Sequence, residues 1–96
     1  MKIEFLLYLF LEKSTEAGRL FRKGVEATGV PRKGDSVHLP GCENMELEVW
    51  QVGWVLKDEV LCPVIDLRSY TPGMEWWNQD TTNLLDAGWV KETWDE

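Results

Sequence analysis

Residues 3–12, IEFLLYLFLE, constrain the fold of this chain more than any other stretch. Aromatic and aliphatic residues bounded by the polar run EKSTEAG predict a β-strand. Odd-numbered and even-numbered apolar residues of an extended chain lie on opposite faces. The two sets are Ile3, Phe5, Leu7, Leu9 and Leu11, and Leu6, Tyr8 and Phe10. A strand with two apolar faces requires cover on both, from a curled sheet with an additional segment or from a second chain. A buried helix is the alternative, because periodicity alone does not settle a short apolar run.

Residues 18–29, GRLFRKGVEATG, predict a second strand that returns beside the first. Alternate apolar residues from Phe21 to Ala27 fall on one face, and Gly24 marks a bulge or bend. A helix through STEAGRLFRK, capped at residues 14–15, is the alternative, although its glycines lower the helix propensity.

The next stretch, VPRKGDSVHLPG, is predicted to be a turn followed by a short strand. Pro31 restricts the preceding residue to extended geometry, Gly34 permits a positive φ, and Asp35 favours a turn. We therefore interpret PRKGD as a turn into the strand SVHL, and PGCENM as a second turn.

The clearest pairing signal is LEVWQVGWVL, then KDE, then VLCPVIDLRSY. Alternating apolar residues on both sides of a short polar segment predict a β-hairpin that turns at residues 57–59. Trp50 and Trp54 share one face of the first strand, which we expect to be a core face. Pro63 has no N–H to donate, so we predict it at a sheet edge or at a bulge.

The C-terminal segment is polar and rich in tryptophan. Asp80 or Thr81 is positioned to cap a short helix through TNLLDA, and Gly88 to end it. We expect this segment to cover the second apolar face of the first strand. The expected covering residues are Trp76, Trp77, Leu84, Leu85 and Trp89.

The short strands, the PRKGDSVHLPG turn and the VWQVGWVL...VLCPVIDL hairpin resemble the SH3-like small barrels of uncharacterised bacterial and phage proteins. The resemblance covers residues 19–70 and implies a mainly β fold, an SH3-like small barrel of about five antiparallel strands. In such proteins it implies a binding scaffold and no particular activity. We expect a single domain over residues 1–96, with the barrel core in 1–70. The short C-terminal helix and Trp-rich cover segment, in 71–96, depart from a minimal barrel.

The formal net charge of −7 disfavours general binding to nucleic acid, because such affinity comes largely from Lys and Arg contacts with phosphates. Half of the ten Lys and Arg residues nevertheless fall between positions 19 and 33. This cluster, an alternative nucleic-acid patch, is Arg19, Arg22, Lys23, Arg32 and Lys33. Its simpler interpretation is a solvated strand edge that balances the acidic remainder.

The residue types that carry metal or catalytic chemistry are sparse in this sequence. His38, Cys42 and Cys62 form only a fragment of a zinc pattern, since structural zinc takes four closely paired ligands. With one histidine and no nucleophile-elbow, phosphate-loop or dinucleotide motif, we expect no enzyme activity, no metal and no cofactor.

The six tryptophans are the strongest indication of a binding surface, because tryptophan is enriched at interface hot spots. We expect each one singly to be core and at least one of the set to be partly exposed. The predicted partner surface is Trp76, Trp77, Trp89, Trp94, Glu75 and Asp80. The sequence therefore favours a non-enzymatic protein-interaction module, interpreted as a phage-encoded inhibitor of a host protein, present as a monomer or a weak homodimer.

The N-terminus imitates a signal peptide but departs from one in three respects. Glu4 interrupts the apolar run, Lys2 alone supplies basic charge, and no A-x-A cleavage pattern follows. The run is also shorter than a membrane span. Two isolated cysteines fit a reducing compartment. We expect a soluble cytoplasmic chain without membrane contact.

Overall fold

A computed structural model of the chain describes residues 1–11, 18–43 and 45–92, which form a mainly β fold with one short helix. The elements are β1 (Lys2–Leu11), β2 (Gly18–Glu26), β3 (Ser36–Val37), β4 (Leu47–Lys57), β5 (Val60–Thr71), α1 (Met74–Asp86) and β6 (Val90–Glu92). The predictions of a β-strand in the first segment, a second strand after it and a hairpin around residues 57–59 are confirmed. No described helix has the length and apolar character needed to cross a membrane.

The six strands form one curled sheet, a half-barrel, in the order β3-β4-β5-β1-β2-β6. The prediction of about five antiparallel strands is corrected in two respects. A sixth strand pairs with β2, and β1 pairs with β5 in parallel. β2 pairs with one side of β1, and residues 64–71 of β5 pair with the other side. The apolar first strand is thereby central in the sheet.

One face of this sheet carries the core. Leu7 lies opposite Phe21 of β2 and Leu67 of β5, and all three side chains are fully buried. The core also includes Ile3, Phe5, Leu9, Cys42, Met45, Leu47, Val49, Ile65, Trp77, Leu84 and Trp89. The odd-numbered face of β1 is therefore the inner face of the curled sheet.

The second face of β1 is half-buried between the side chains of β2 and β5. Leu6, Tyr8 and Phe10 lie on it, and the Phe10 ring stacks with the Tyr70 ring at a centroid distance of 5.3 Å. Cover from neighbouring strands replaces the separate covering segment that we predicted for this face.

The C-terminal segment covers the inner face instead. Trp77, Leu84 and Trp89 belong to the same buried cluster as the odd-numbered residues of β1, whereas Trp76 and Leu85 are exposed. The spacing of Trp77 and Leu84 places both on one helical face, which turns towards the inside of the half-barrel. We predicted that this segment covers the face of β1 outside the barrel interior, but it covers the inner face.

Helix α1 is longer than the predicted TNLLDA helix. It follows Gly73, which offers no side-chain cap, and Glu75 supplies a favourable acidic group in its first turn. Neither Asp80 nor Thr81 is its cap, because both lie inside it. Its end agrees with the prediction, since Gly88 adopts a φ of +94°, a conformation that favours glycine.

The turn between β4 and β5 consists of two residues, Asp58 and Glu59, both with positive φ. Positive φ at both central positions defines the hairpin turn whose twist matches that of the flanking strands. A register shift lies between Val49 and Gln51 of β4, whereas the pairings at Gly24 and Pro63 are regular. β5 is an inner strand, but Pro63 itself lies outside the β1–β5 pairing, which begins at Val64.

Candidate functional site

The outer part of the β4–β5 hairpin carries a group of exposed apolar side chains that we call the hairpin surface. Its residues, with their exposed fractions, are Trp54 (53%), Val55 (43%), Leu56 (65%), Val60 (60%) and Leu61 (61%). The hydrophobic core cluster reaches to Ile65 on β5, with Val52 of β4 packed against it, and Pro63 is the last buried residue towards the turn. Beyond that level Lys57 donates to Glu4 Oε2 at 3.1 Å, and Lys57 and Cys62 line a cleft with residues of β1 and β6, whereas the five apolar side chains remain exposed.

Trp50 and Trp54 were predicted to be core and are exposed instead, by 45% and 53%. The register shift after Val49 puts Trp50 in a bulge, and Trp54 lies beyond the end of the core. The shift reverses the alternation, so that Val49 and Val52 both face inward and Trp50, which contacts Arg68, does not share the face of Trp54. The prediction of one shared face was therefore wrong.

A groove of about 610 Å³ lies beside β4, between the 30–33 loop and the side chains of Trp50, Gln51, Val52 and Trp54. The loop is the PRKGD turn predicted from the sequence. Asp35 holds it closed, because its Oδ2 accepts a hydrogen bond from the Arg32 backbone N–H at 2.8 Å.

The same turn is attached to β4 by two backbone hydrogen bonds. The Gly34 N–H donates to the Val49 carbonyl, and the Val49 N–H donates to the Asp35 carbonyl, both at 2.9 Å. The predicted PRKGD turn thus forms one wall of the groove.

Two exposed bases, Arg32 and Lys33, line this groove. Neither forms an ion pair in the described part of the chain. On the other side of Trp50, the Arg68 guanidinium lies 3.5 Å from the centroid of its ring. This cation–π contact fixes the orientation of the Trp50 indole at the groove wall.

The edge of β4 that borders the groove is open. β3 pairs with β4 only at Leu47 and Glu48, and the turn adds its two bonds at Val49. Within residues 1–11, 18–43 and 45–92, no backbone hydrogen bond reaches this edge beyond Val49. An open edge of a sheet is a template for another strand.

The predicted partner surface in the C-terminal segment is divided between core and surface. Trp76 and Glu75 are exposed and Asp80 is half-buried, whereas Trp77 and Trp89 are buried. The Trp89 indole N–H donates to the Pro40 carbonyl at 2.8 Å, so its polar atom is used inside the fold.

Trp94 of the same set lies outside the described residues. Trp76 confirms the expectation that at least one tryptophan is partly exposed, since 58% of it is accessible.

Trp76 and Asp80 line a second cleft of about 440 Å³, the helix cleft, between α1 and the end of β5. The Thr71 hydroxyl donates to Asp80 Oδ2 at 3.3 Å. Burial raises the pKa of Asp80, and this hydrogen bond opposes the rise. The remaining lining residues are Met45, Glu46, Arg68, Ser69, Tyr70, Thr71 and Pro72.

The predicted basic cluster is not one patch. Arg19, Arg22 and Lys23 lie on β2, whereas Arg32 and Lys33 lie beside β4, with β1 and β5 between the two strands.

The three bases of β2 are engaged within the chain. Arg19 donates to the Thr81 hydroxyl and lies 3.7 Å from the Trp77 ring centroid. Arg22 forms ion pairs with Glu4 at 2.7 Å and Glu92 at 3.3 Å. Lys23 donates to the Ala87 carbonyl at 2.9 Å. These contacts tie the sheet to its C-terminal cover and leave the three side chains less available to a ligand.

Comparison with protein-family models, with curated proteins and with solved structures finds no match to this chain. The geometry of the described residues is therefore the basis for a function.

The histidine and the two cysteines that suggested part of a zinc pattern are placed differently in the fold. His38 is exposed, Cys42 is buried in the core, and Cys62 is half-buried on β5. No three side chains of His, Cys, Asp or Glu within the described ranges form a group that could hold a metal ion.

The two thiols are expected to differ in reactivity. Burial, with the nearby charges of Glu43 and Asp80, raises the pKa of Cys42 from 9.0 to about 12. At pH 8 this lowers its thiolate fraction by about a thousandfold, and the thiolate is the reactive form. A colorimetric thiol reagent at pH 8 is expected to modify Cys62 first in the folded protein. In Cys62→Ser the early phase should disappear, and rapid labelling of Cys42 would contradict its burial.

None of the five residues of the hairpin surface, Trp54, Val55, Leu56, Val60 and Leu61, was among the predicted site residues. A signal for them exists in the sequence. They place apolar side chains on both faces of the hairpin directly beside a two-residue turn, where an isolated hairpin tip is normally polar on at least one face.

Proposed function

We propose that this protein is a non-enzymatic protein-interaction module whose contact surface is the hairpin surface. The observation that carries the proposal is the exposure of five large apolar side chains around one turn. Soluble proteins seldom leave a contiguous apolar patch exposed unless it is an interface or a ligand site. Trp54 of the hairpin surface also lines the groove, together with Trp50. Tryptophan is among the side chains that contribute most to binding energy.

The placement of the two cysteines and the histidine supports a binding role over a catalytic one. Cys42 has a raised pKa and is buried, which is the opposite of an activated nucleophile. His38 lies in the same connection between β3 and β4, Cys62 lies on β5, and the three side chains form no metal-binding group among the described residues.

Nucleic-acid binding is a second candidate, because the groove combines Arg32 and Lys33 with the indoles of Trp50 and Trp54. Aromatic platforms beside basic side chains are the usual means of holding single-stranded nucleic acid. The net charge of −7 opposes it. Titration with a fluorescent single-stranded oligonucleotide tests this candidate, since binding that weakens steeply with salt would favour it.

We also propose two finer assignments. The first is that the fold is related to the SH3-like small barrels, and the second is that the chain is a phage-encoded inhibitor of a host protein. The curled half-barrel supports the first part. The second would use the helix cleft, where Trp76 and Asp80 remain at least partly accessible, together with the exposed Glu75 that precedes Trp76.

Leu56→Glu is expected to reduce capture of a partner by the tagged protein by about 10-fold to 100-fold. Leu56 is 65% exposed, so the substitution leaves the core intact and removes apolar area worth roughly 1.5 to 3 kcal/mol when it is buried by a partner. Pull-down followed by quantitative mass spectrometry measures the loss.

The matched control is Leu85→Glu, the same substitution at a leucine of helix α1 that is 47% exposed and lies outside the hairpin surface. Capture that responds equally to both variants, or to neither, would remove the support for the hairpin surface. Loss of capture in Trp76→Ala alone would transfer the function to the helix cleft.

A further inference from the structure

We propose that the partner of the hairpin surface is a second copy of this chain, bound by antiparallel pairing of the two open β4 edges about a two-fold axis at Trp54. This inference rests on the protein-binding function proposed above, since it names the occupant of the same surface. The result is one continuous sheet across two chains.

The backbone of β4 determines which groups are available for such pairing. Trp54 lies opposite Pro63 of β5, and proline has no N–H to donate. Trp54 and Pro63 therefore form the non-hydrogen-bonded kind of pair in the antiparallel ladder. The alternation of that ladder directs the N–H and C=O groups of Val52, Trp54 and Leu56 away from β5, towards the open edge.

The hydrogen bonds at the other end of the edge agree with this assignment. Both backbone groups of Val49 face outward, since they bond with Gly34 and Asp35. The register shift between Val49 and Gln51 inserts one residue, so the next outward-facing position is Val52.

Pairing two copies about Trp54 brings compatible side chains together. The two Trp54 residues then lie opposite each other, and Val52 lies opposite Leu56 of the other copy. All three side chains lie on the face of β4 that is inward at Val52, and Trp54 and Leu56 are the most exposed apolar residues of that strand. On the other face, Gly53 lies opposite Val55 and leaves room for it.

The charges at the two ends of the edge are also complementary. Arg32 and Lys33 stand beside one end, where they line the groove, and Asp58 and Glu59 form the turn at the other end. Antiparallel pairing inserts the acidic turn of each copy into the basic groove of the other. A closed two-fold interface requires such a self-complementary patch.

The sequence of the edge provides little defence against pairing. Proteins usually protect an open edge with charges, prolines or very short strands. From Gln51 to Leu56 this edge carries no charged residue and no proline, and only Lys57 at its end is charged. A second copy satisfies the edge and brings the β4 residues of the hairpin surface, Trp54, Val55 and Leu56, beside side chains of the other copy.

The test exchanges the two sets of charges between separate chains. One variant carries Arg32→Glu with Lys33→Glu, and the other carries Asp58→Asn with Glu59→Lys, where asparagine tolerates the positive φ at position 58. Each variant alone juxtaposes like charges at both ends of its dimer. A mixture of the two forms a heterodimer with opposite charges at both ends.

Sedimentation velocity is expected to give the wild type a mass of twice 11.1 kDa at high protein concentration. Each variant alone should require about tenfold more protein to dimerise. The equimolar mixture should return to the wild-type concentration, and in about 1 M salt these differences should shrink because the charges are screened. Equal urea midpoints for all three chains, at a protein concentration where each is monomeric, show that folding is unchanged.

A wild type that is monomeric at all concentrations overturns the inference, as does a mixture that associates no better than its components. If the monomeric wild type still captures another protein in a Leu56-dependent manner, the proposed function stands and only the second copy is wrong. If neither self-association nor capture depends on Leu56, both proposals fail.

Discussion

Replacing Leu7 with alanine is expected to lower the free energy of unfolding by about 2 to 5 kcal/mol, the range for truncating leucine in a packed core. Leu7 is fully buried at the centre of the sheet, between Phe21 of β2 and Leu67 of β5. Leu9→Ala should fall in the same range, because Leu9 is equally buried. Against a total stability of roughly 5 to 15 kcal/mol, either substitution leaves the fold marginal. The urea midpoint measures the loss.

The same strand supplies the control for this prediction. Leu6 is adjacent in sequence, points to the opposite face and is only half-buried. Leu6→Ala removes the same atoms from a partly solvated site and should cost clearly less than Leu7→Ala. Equal midpoints for the two variants would contradict the assignment of the odd-numbered face to the core.

Local pattern was sufficient to identify the strands and the hairpin turn. The alternation on both sides of KDE predicted β4 and β5, and the two-residue turn at Asp58 and Glu59 lies within the predicted range. The alternation in β1 also identified its two faces, one of which is the core face. These features depend on neighbours within about ten residues, and periodicity reports them directly.

Pairings between distant segments were not accessible in this way. The parallel contact between β1 and β5 joins residues some 60 positions apart, as in the pair Glu4 and Val64. Neither strand carries a residue pattern that specifies its partner or the direction of pairing. The expectation of about five antiparallel strands was therefore wrong at the β1–β5 pairing, which is parallel and joins strands that are far apart in the sequence.

The extent of cover was the other limit, and it decided the candidate site. Trp54 and Val52 have the same place in the alternation of β4, yet one is exposed and the other packs against the core. The difference arises because the hairpin is longer than the layer that covers it. Of the predicted partner surface, Trp76, Glu75 and Asp80 remain accessible, while Trp77 and Trp89 are used in packing.

The contacts of the C-terminal segment indicate how much of the fold depends on it. Trp77, Leu84 and Trp89 are almost completely inaccessible, and β6 pairs with β2. The segment also provides the partners of Arg19 and Lys23. Helix and sheet thus share one core, in which neither surface is covered without the other.

Truncation after Gly73 is therefore expected to abolish cooperative folding. It removes α1 and β6, and each fully buried side chain among Trp77, Leu84 and Trp89 contributes roughly 1.5 to 3 kcal/mol. Together these losses are comparable to the whole stability of a small domain. Urea unfolding followed by circular dichroism should show a cooperative transition for the full chain and none for residues 1–73. Trp76→Ala is the control, because its indole is 58% exposed and its loss should leave the midpoint nearly unchanged. A truncated chain with the wild-type midpoint would mean that the sheet closes its inner face without the helix.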